Sequence, residues 1–163
     1  MSWINSSIVS IISIMPRWTI HPFAKTYVAG ETVQETVLVV KKVNDRGFTC
    51  TLDILGEHVQ STSEAKNITQ EYCDLYDVIA ADNLNCNISI KLTHIGLTLD
   101  KTIAADNLVR ILKQAKKHDN FLRIDMENSP YTQKTIDLYK NCVSDYPNMG
   151  MVLQAYLKRS LKD

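Results

Sequence analysis

Apolar residues recur along the chain with two different periods, and the two periods alternate from residue 32 to the C-terminus. A spacing of three or four residues, typical of an amphipathic helix, runs through residues 33–43, 65–79, 108–115 and 136–143. Alternation of apolar and polar residues, typical of a strand, predicts strands over these residues: 49–55, 86–93, 121–127 and 150–156. Helices and strands therefore alternate, which predicts consecutive βαβ units with a parallel sheet and an α/β fold.

The two faces of the predicted strands differ in polarity. One face of each strand is aliphatic, as in Ile88, Ile90 and Leu92 of the second strand. The opposite face carries Thr51, Asp53, Leu55, Ser89, Lys91, Thr93, Arg123, Asp125, Glu127, Val152, Gln154 and Tyr156. An open doubly wound sheet and a (β/α) barrel both fit the element order, but a sheet covered by helices on both sides should be apolar on both faces. The one-sided polarity favours a barrel whose interior holds a ligand.

The start of the chain is apolar but has no membrane or export pattern. Residues 3–15 are interrupted by serine and asparagine and fall short of the roughly 20 residues that a spanning helix needs. No basic residue precedes them, as it would in a secretory signal. We predict a packing helix within an N-terminal lead-in of residues 1–30, with peripheral membrane contact as the alternative.

Composition excludes several classes of partner and site. Eighteen basic and eighteen acidic residues give a formal net charge of zero, and no basic block marks a nucleic-acid partner. The four cysteines are too scattered along the chain for a metal knuckle or a redox pair, which predicts reduced thiols and a cytoplasmic location. No two histidines have ligand spacing, so no metal site is expected. Glycine-rich nucleotide-binding motifs are absent from the sequence.

Four polar residues fall near the carboxyl ends of the predicted strands, on the polar face. They are Asp53, Lys91, Asp125 and Gln154. In a (β/α) barrel the working groups lie at this end of the strands. A lysine there suits an anionic group of a small molecule, and an amide suits the edge of a heteroaromatic ring. The alternative is that each residue is a solvated loop residue or half of a structural ion pair.

Five short segments together resemble a known enzyme family. They are residues 27–32 (YVAGET), 51–57 (TLDILGE), 89–93 (SIKLT), 123–127 (RIDME) and 153–157 (LQAYL). Their order and spacing are similar to those of the monofunctional bacterial proline dehydrogenases from about residue 16 to the end. The resemblance implies a (β/α)8 barrel that holds FAD, oxidises L-proline to Δ1-pyrroline-5-carboxylate and passes the electrons to a quinone.

The resemblance also implies a role for each matching residue. Lys91 corresponds to the lysine that contacts the proline carboxylate, and Asp125 to the active-site aspartate. Met126 and Gln154 correspond to positions that touch the flavin. Asp53 and Glu57 correspond to carboxylates after the first strand, where the glutamate pairs with an arginine from the far end of the family's chain.

The length of the chain limits what the resemblance implies. A full (β/α)8 barrel takes about 250 residues, whereas this chain has 163. Residues 31–163 therefore correspond to the N-terminal half, a partial TIM-like barrel of about four βα units after an N-terminal helix. We expect a complementary C-terminal half or self-association, with peripheral contact at the inner membrane as a further option. A half barrel that only binds a ligand, or an unrelated α/β domain, remains open at this point.

Overall fold

The computed structural model describes residues 28–163 of the chain. The helix predicted over residues 3–15, and most of the predicted lead-in of residues 1–30, lie outside the described residues. The chain divides into two compact units, Met1–Lys42 and Val43–Asp163. In residues 28–163, none of the helices combines the length and hydropathy needed for a transmembrane span.

Helices and strands alternate along the described residues in the predicted order. The elements are α1 (Val33–Asn44), β1 (Cys50–Leu52), α2 (Thr62–Ala81), β2 (Cys86–Ile90), a short 3-10 helix (Leu92–Ile95), α3 (Lys101–Lys117), β3 (Leu122–Ile124), α4 (Ser129–Cys142) and β4 (Met149–Met151). The strands form one parallel sheet in the order β1-β2-β3-β4. The predicted α/β class and the parallel sheet are confirmed.

The strand register separates an apolar face from a polar face. Ile88 of β2 lies opposite Leu52 and Leu122, and Ile90 lies opposite Ile124. These β2 and β3 residues are buried, as are Leu108, Ile111 and Leu112 of α3. On the other face Ser89 lies opposite Arg123, which lies opposite Gly150. The one-sided polarity read from the sequence is therefore present in the sheet.

The strands are shorter than the alternation pattern predicts. Each has three to five residues, and β4 starts at Met149, one residue before the predicted strand, and ends at Met151. Lys91 is followed by the 3-10 helix, which ends at Gly96 with a left-handed φ of 111°. Because a strand needs ladder bonds to a neighbour, the polar residues predicted for the last part of each strand lie in the following loop or turn.

Helix α2 begins at a capping box, which the sequence Ser61-Thr62-Ser63-Glu64 predicts. The hydroxyl of Ser61 accepts a hydrogen bond from the backbone N–H of Glu64 at 3.2 Å, and the Glu64 carboxylate accepts one from the N–H of Gln60 at 2.8 Å. The helical period over residues 65–79 predicts an apolar stripe of Ala65, Ile68, Tyr72, Leu75 and Ile79. The buried side of the helix differs from it, because Ile68 and Leu75 are only half-buried. The buried residues are Ala65, Thr69, Tyr72, Cys73, Tyr76 and Ile79.

Replacing Ser61 with alanine should lower the free energy of unfolding by about 1 kcal/mol, since a donor of the first turn loses its acceptor. Urea unfolding of the variant beside the parent chain measures the loss. Ser61→Asn is the matched control, because asparagine keeps a side-chain oxygen at the cap. Equal destabilisation in both variants would contradict a capping role.

Candidate active site

Two of the predicted site residues form an ion pair at the carboxyl ends of β1 and β2. Lys91 Nζ lies 2.8 Å from Asp53 Oδ2, and the two side chains are 29% and 23% exposed. Asp53 directly follows β1 and Lys91 directly follows β2, so the parallel pairing of these strands carries the two residues to the same edge. The pair is therefore half-buried and still reachable from solvent.

Asp125 extends the same edge from β3. Its backbone N–H donates to the carbonyl of Ile90 at 2.9 Å, which continues the ladder by one residue past the strand. Its carboxylate accepts a hydrogen bond from Arg123 Nε at 2.8 Å. Arg123 therefore fixes the position of Asp125, and the Asp125 charge acts on Lys91.

The charges around Lys91 keep it protonated. Desolvation is the largest single effect on the pKa of Lys91, and it lowers that pKa. The hydrogen bond and charge of Asp53, together with the charges of Asp125 and Glu127, act in the opposite direction. The net result is a raised pKa. The stabilising contribution of the pair is therefore fully present below the ordinary lysine pKa and is lost as the pH rises through the raised value. At neutral pH the edge presents a fixed ammonium group.

A buried tyrosine and a buried histidine lie behind Asp53. The hydroxyl of Tyr72 lies 3.3 Å from Asp53 Oδ1, 3.4 Å from the carbonyl of Ile54 and 3.5 Å from His94 Nδ1. Burial, and then the Asp53 charge, raises the pKa of Tyr72, so the phenol stays a neutral donor. Burial lowers the pKa of His94 against the opposing charge of Asp53. Both carboxylate oxygens of Asp53 therefore have a donor.

Gly56 allows the loop after β1 to approach the His94 ring. A Cβ atom on Gly56 would lie 2.6 Å from His94 Cε1 and closer still to Nε2. No side chain fits at that separation, so the loop passes over the imidazole only as glycine. The contact fixes the loop that carries Asp53 against the segment after β2.

A third carboxylate, that of Glu127, joins the loops after β2 and β3. Glu127 Oε1 accepts a hydrogen bond from the backbone N–H of Thr93 at 3.0 Å, and Glu127 Oε2 accepts one from the Thr93 hydroxyl. Thr93 is fully buried at the start of the 3-10 helix. The segments that carry Lys91 and Asp125 are thereby held together.

The remaining predicted site residues do not join this cluster. Glu57 is exposed in the loop after β1, and its carboxylate has no hydrogen-bond or ion-pair partner among residues 28–163. Met126 and Gln154 are half-buried after β3 and β4. The carbonyl of Gln154 accepts hydrogen bonds from the N–H of Leu157 at 3.0 Å and the hydroxyl of Ser160 at 2.6 Å. Their roles in binding stay predictions.

Sequence reasoning missed Tyr72 as part of the site, because its place in the apolar stripe of α2 marked it only as a core residue. The feature that could have identified it is its hydroxyl, since a buried tyrosine needs a hydrogen-bond partner. Tyr76, one turn later, meets the same need at the carbonyl of Phe121, at 3.0 Å. Nothing in the local pattern distinguishes the two partners, because both come from distant parts of the chain.

Replacing Tyr72 with phenylalanine should lower the free energy of unfolding by about 1 kcal/mol, the scale of one buried hydrogen bond. The loss should shrink when Tyr72→Phe is made together with Asp53→Asn, because the acceptor is then uncharged. Urea unfolding of the two single variants and the double variant measures this coupling. Additive losses would show that the Tyr72 hydroxyl acts through the Ile54 carbonyl or His94 and not through Asp53.

Comparison with known proteins identifies the family. Residues 37–163 match the sequence model of the proline dehydrogenase family. Proline dehydrogenase 1 of Bacillus subtilis (strain 168) is 38% identical over 140 residues, which cover 86% of this chain and 46% of the relative. Proline dehydrogenase 2 of the same strain is 34% identical over 147 residues, covering 90% and 48%. The chain thus spans about half the length of the curated relatives it matches.

A solved structure establishes the type of barrel. Proline utilization A (PutA) from Bdellovibrio bacteriovorus superposes with a TM-score of 0.82 at 24% identity, covering 90% of this chain and 18% of that one. The four strands and four α-helices of the described residues are therefore a partial (β/α) barrel of the TIM-like type, as predicted. With the match over residues 37–163, the sequence and the fold agree that this chain belongs to the proline dehydrogenase family.

Proposed function

We propose that the chain forms the first half of the barrel of an FAD-dependent proline dehydrogenase, which oxidises L-proline to Δ1-pyrroline-5-carboxylate in proline catabolism. The observation that carries the proposal is the Lys91 ammonium, held 2.8 Å from Asp53 at the carboxyl ends of the strands. Membership of the family supports the reaction class. The position of the ammonium supports a small carboxylate as substrate.

The mixed charges of the site suit a zwitterionic amino acid. Lys91 offers a cation for the proline carboxylate, while Asp125, held by Arg123 at 2.8 Å, offers an anion for the amine. Asp53 holds Lys91 in place, and Tyr72 holds Asp53. We assign substrate binding to Lys91 with Asp53, and the catalytic carboxylate to Asp125.

The residues after β3 and β4 fit a flavin ring. Met126 offers a half-buried thioether for an apolar ring face. The side-chain amide of Gln154 is half-buried and makes no hydrogen bond with any described residue, so its donors and acceptor are available to a heteroaromatic edge. The chemistry that FAD supplies when bound is acceptance of a hydride from C5 of proline. The protein's part is to position the substrate beside it.

The second half of the barrel would complete the site. The chain spans about half of its relatives, and β1 and β4 each have one neighbour within the described sheet. Unpaired strand edges favour association with another chain segment. We propose that a complementary C-terminal half pairs with this sheet and supplies an arginine to the exposed Glu57, and that self-association occurs when that half is absent.

The resemblance also supports a quinone as electron acceptor and a cytoplasmic location, with peripheral contact at the inner membrane. The quinone follows from the reaction class, whereas the location also rests on the scattered cysteines, which are free among the described residues. A membrane quinone would require the complete barrel to reach the membrane surface. Vesicles containing a quinone, added to the complete barrel with L-proline, would reveal quinone reduction by absorbance.

The proposal is tested by the flavin spectrum of the purified chain. The chain is mixed with FAD and desalted, alone and with the C-terminal half of the Bacillus subtilis relative, and the visible flavin band is recorded before and after L-proline is added without oxygen. We expect retained flavin and bleaching by proline in the completed barrel. Retained flavin without bleaching would favour the alternative of a ligand-binding module, and no retained flavin in either sample would refute the proposal.

A further inference from the structure

Two cysteines that are far apart in sequence lie opposite each other at the amino ends of β1 and β2. The register pairs Cys50 with Cys86, and the N–H of Cys50 donates to the carbonyl of Asn85 at 3.2 Å. Directly opposed residues of neighbouring parallel strands have their side chains on the same face. Sequence spacing alone indicated no cysteine pair, because the partner is brought in by the βαβ crossover.

The separation of the two strands fits a disulfide. Neighbouring strands lie about 4.7–4.9 Å apart, and disulfides join Cα atoms about 4.4–6.8 Å apart. The charge of Cys50 also contributes to the pKa of Cys86, as expected for neighbouring thiols. The register therefore places the Cα atoms of Cys50 and Cys86 at a separation that disulfides join.

The side chain of Asn44 holds this register. Its amide nitrogen donates to the carbonyls of Phe48 and Asn85 at 2.9 and 3.0 Å, and its oxygen accepts from the N–H of Asn85 at 2.9 Å. Phe48 lies two residues before Cys50, and Asn85 directly precedes Cys86. One side chain thus clamps the start of both strands, so the two thiols are held opposite each other.

The two thiols differ in exposure, which sets their order of reaction. Cys50 is partly exposed on the edge strand, whereas Cys86 is buried. Burial, and then the Cys50 charge, raises the pKa of Cys86 to about 11. The thiolate is the reacting form. A small oxidant therefore meets Cys50 first, and Cys86 reacts second.

We propose that Cys50 and Cys86 are a reversible dithiol–disulfide pair, oxidised by a small organic disulfide such as oxidised glutathione. The Cys50 thiolate attacks one glutathione sulfur, breaks the S–S bond and releases one glutathione thiolate. The Cys86 thiolate then attacks Cys50 Sγ and releases the second. Two protein thiols are oxidised by two electrons, one small disulfide is reduced to two thiols, and the two protons pass through solvent to the released thiolates.

The pair is tested by mapping disulfides in the folded full-length chain. The chain is treated with oxidised glutathione, free thiols are alkylated, and the product is cut at lysine and arginine and before aspartate. The cuts give one peptide for each thiol, namely 47–52 for Cys50, 67–73 for Cys73, 82–91 for Cys86 and 141–144 for Cys142. We expect peptide 47–52 joined to peptide 82–91, and release of the link by dithiothreitol.

Two variants make the result specific. Cys86→Ala should abolish the link and leave glutathione on Cys50, because the second step has no thiol. Cys73→Ala removes another buried thiol from α2 and should leave the link intact. A wild-type chain in which peptide 47–52 is free, carries glutathione only, or is joined to peptide 67–73 would overturn the proposal. The readout needs neither flavin nor proline, so it is independent of the proposed function.

Discussion

Replacing Lys91 with methionine should weaken the binding of L-proline by about 2–5 kcal/mol in the completed barrel, the scale for truncating one partner of a buried charge pair. Methionine keeps much of the length of the lysine side chain and removes the ammonium that would meet the carboxylate. Retained flavin should be unchanged, since we assign that contact to Met126 and Gln154. Titration with L-proline, followed by the flavin absorbance, measures the loss.

The effect of Lys91→Met on stability should be smaller than its effect on binding. Asp53 is 23% exposed and remains within 3.3 Å of the Tyr72 hydroxyl, so its charge keeps solvent and a donor when the lysine is removed. Lys101→Met is the matched control, because Lys101 also forms an ion pair, with Asp137 at 3.5 Å, on the exposed surface. If Lys91→Met has a much lower melting temperature yet keeps its affinity for proline, the lysine has a structural role and the substrate assignment is wrong.

Replacing Ile124 with alanine should lower the free energy of unfolding by about 2–5 kcal/mol, because the lost methylene and methyl groups leave a cavity in the core. Ile124 is fully buried in β3, between its register partners Ile90 and Met151. The strands on both sides of β3 are hydrogen-bonded to it in the sheet. The residues around the cavity can therefore move in to fill it only in part. Urea unfolding of the purified chain measures the change in midpoint at constant slope.

Two further variants test whether the loss of stability depends on how much buried side chain is removed. Ile124→Val removes one methylene and should reduce the free energy of unfolding by about 0.5–1.5 kcal/mol. Leu161→Ala removes a side chain that is 98% exposed and should leave the midpoint nearly unchanged. A loss in Ile124→Ala no larger than in Leu161→Ala would mean that the apolar face of the sheet is not the core of the folded chain.

Local pattern was enough to determine the elements and the faces of the sheet. The period of three to four residues located the helices, and the Ser61 capping box gave the start of α2 because both its partners lie within one turn. Alternation along each strand told the apolar face from the polar face, since successive side chains point to opposite sides. These features depend on neighbours a few residues away, which the sequence displays directly.

The ends of the strands could not be located from the sequence pattern. The alternation continues past Leu52, Ile90, Ile124 and Met151, but the ladder ends at or just after these residues. A strand ends where its neighbour stops offering hydrogen-bond partners, and the neighbour is a distant segment. The sequence therefore showed which residues share a face, but not which of them are in the sheet.

Only the tertiary structure decided how the polar residues are paired. The sequence placed Asp53 and Lys91 at one edge, but their ion pair joins residues 38 positions apart. The same holds for Thr93 and Glu127, 34 positions apart, and for Tyr72 behind Asp53. Cys50 and Cys86 looked unrelated until the register set them opposite each other. The first, second and last of these contacts cross from one βα unit to another, and the Tyr72 contact joins the loop after β1 to the helix that follows it. All of them are fixed by strand register and helix packing, which no local period encodes.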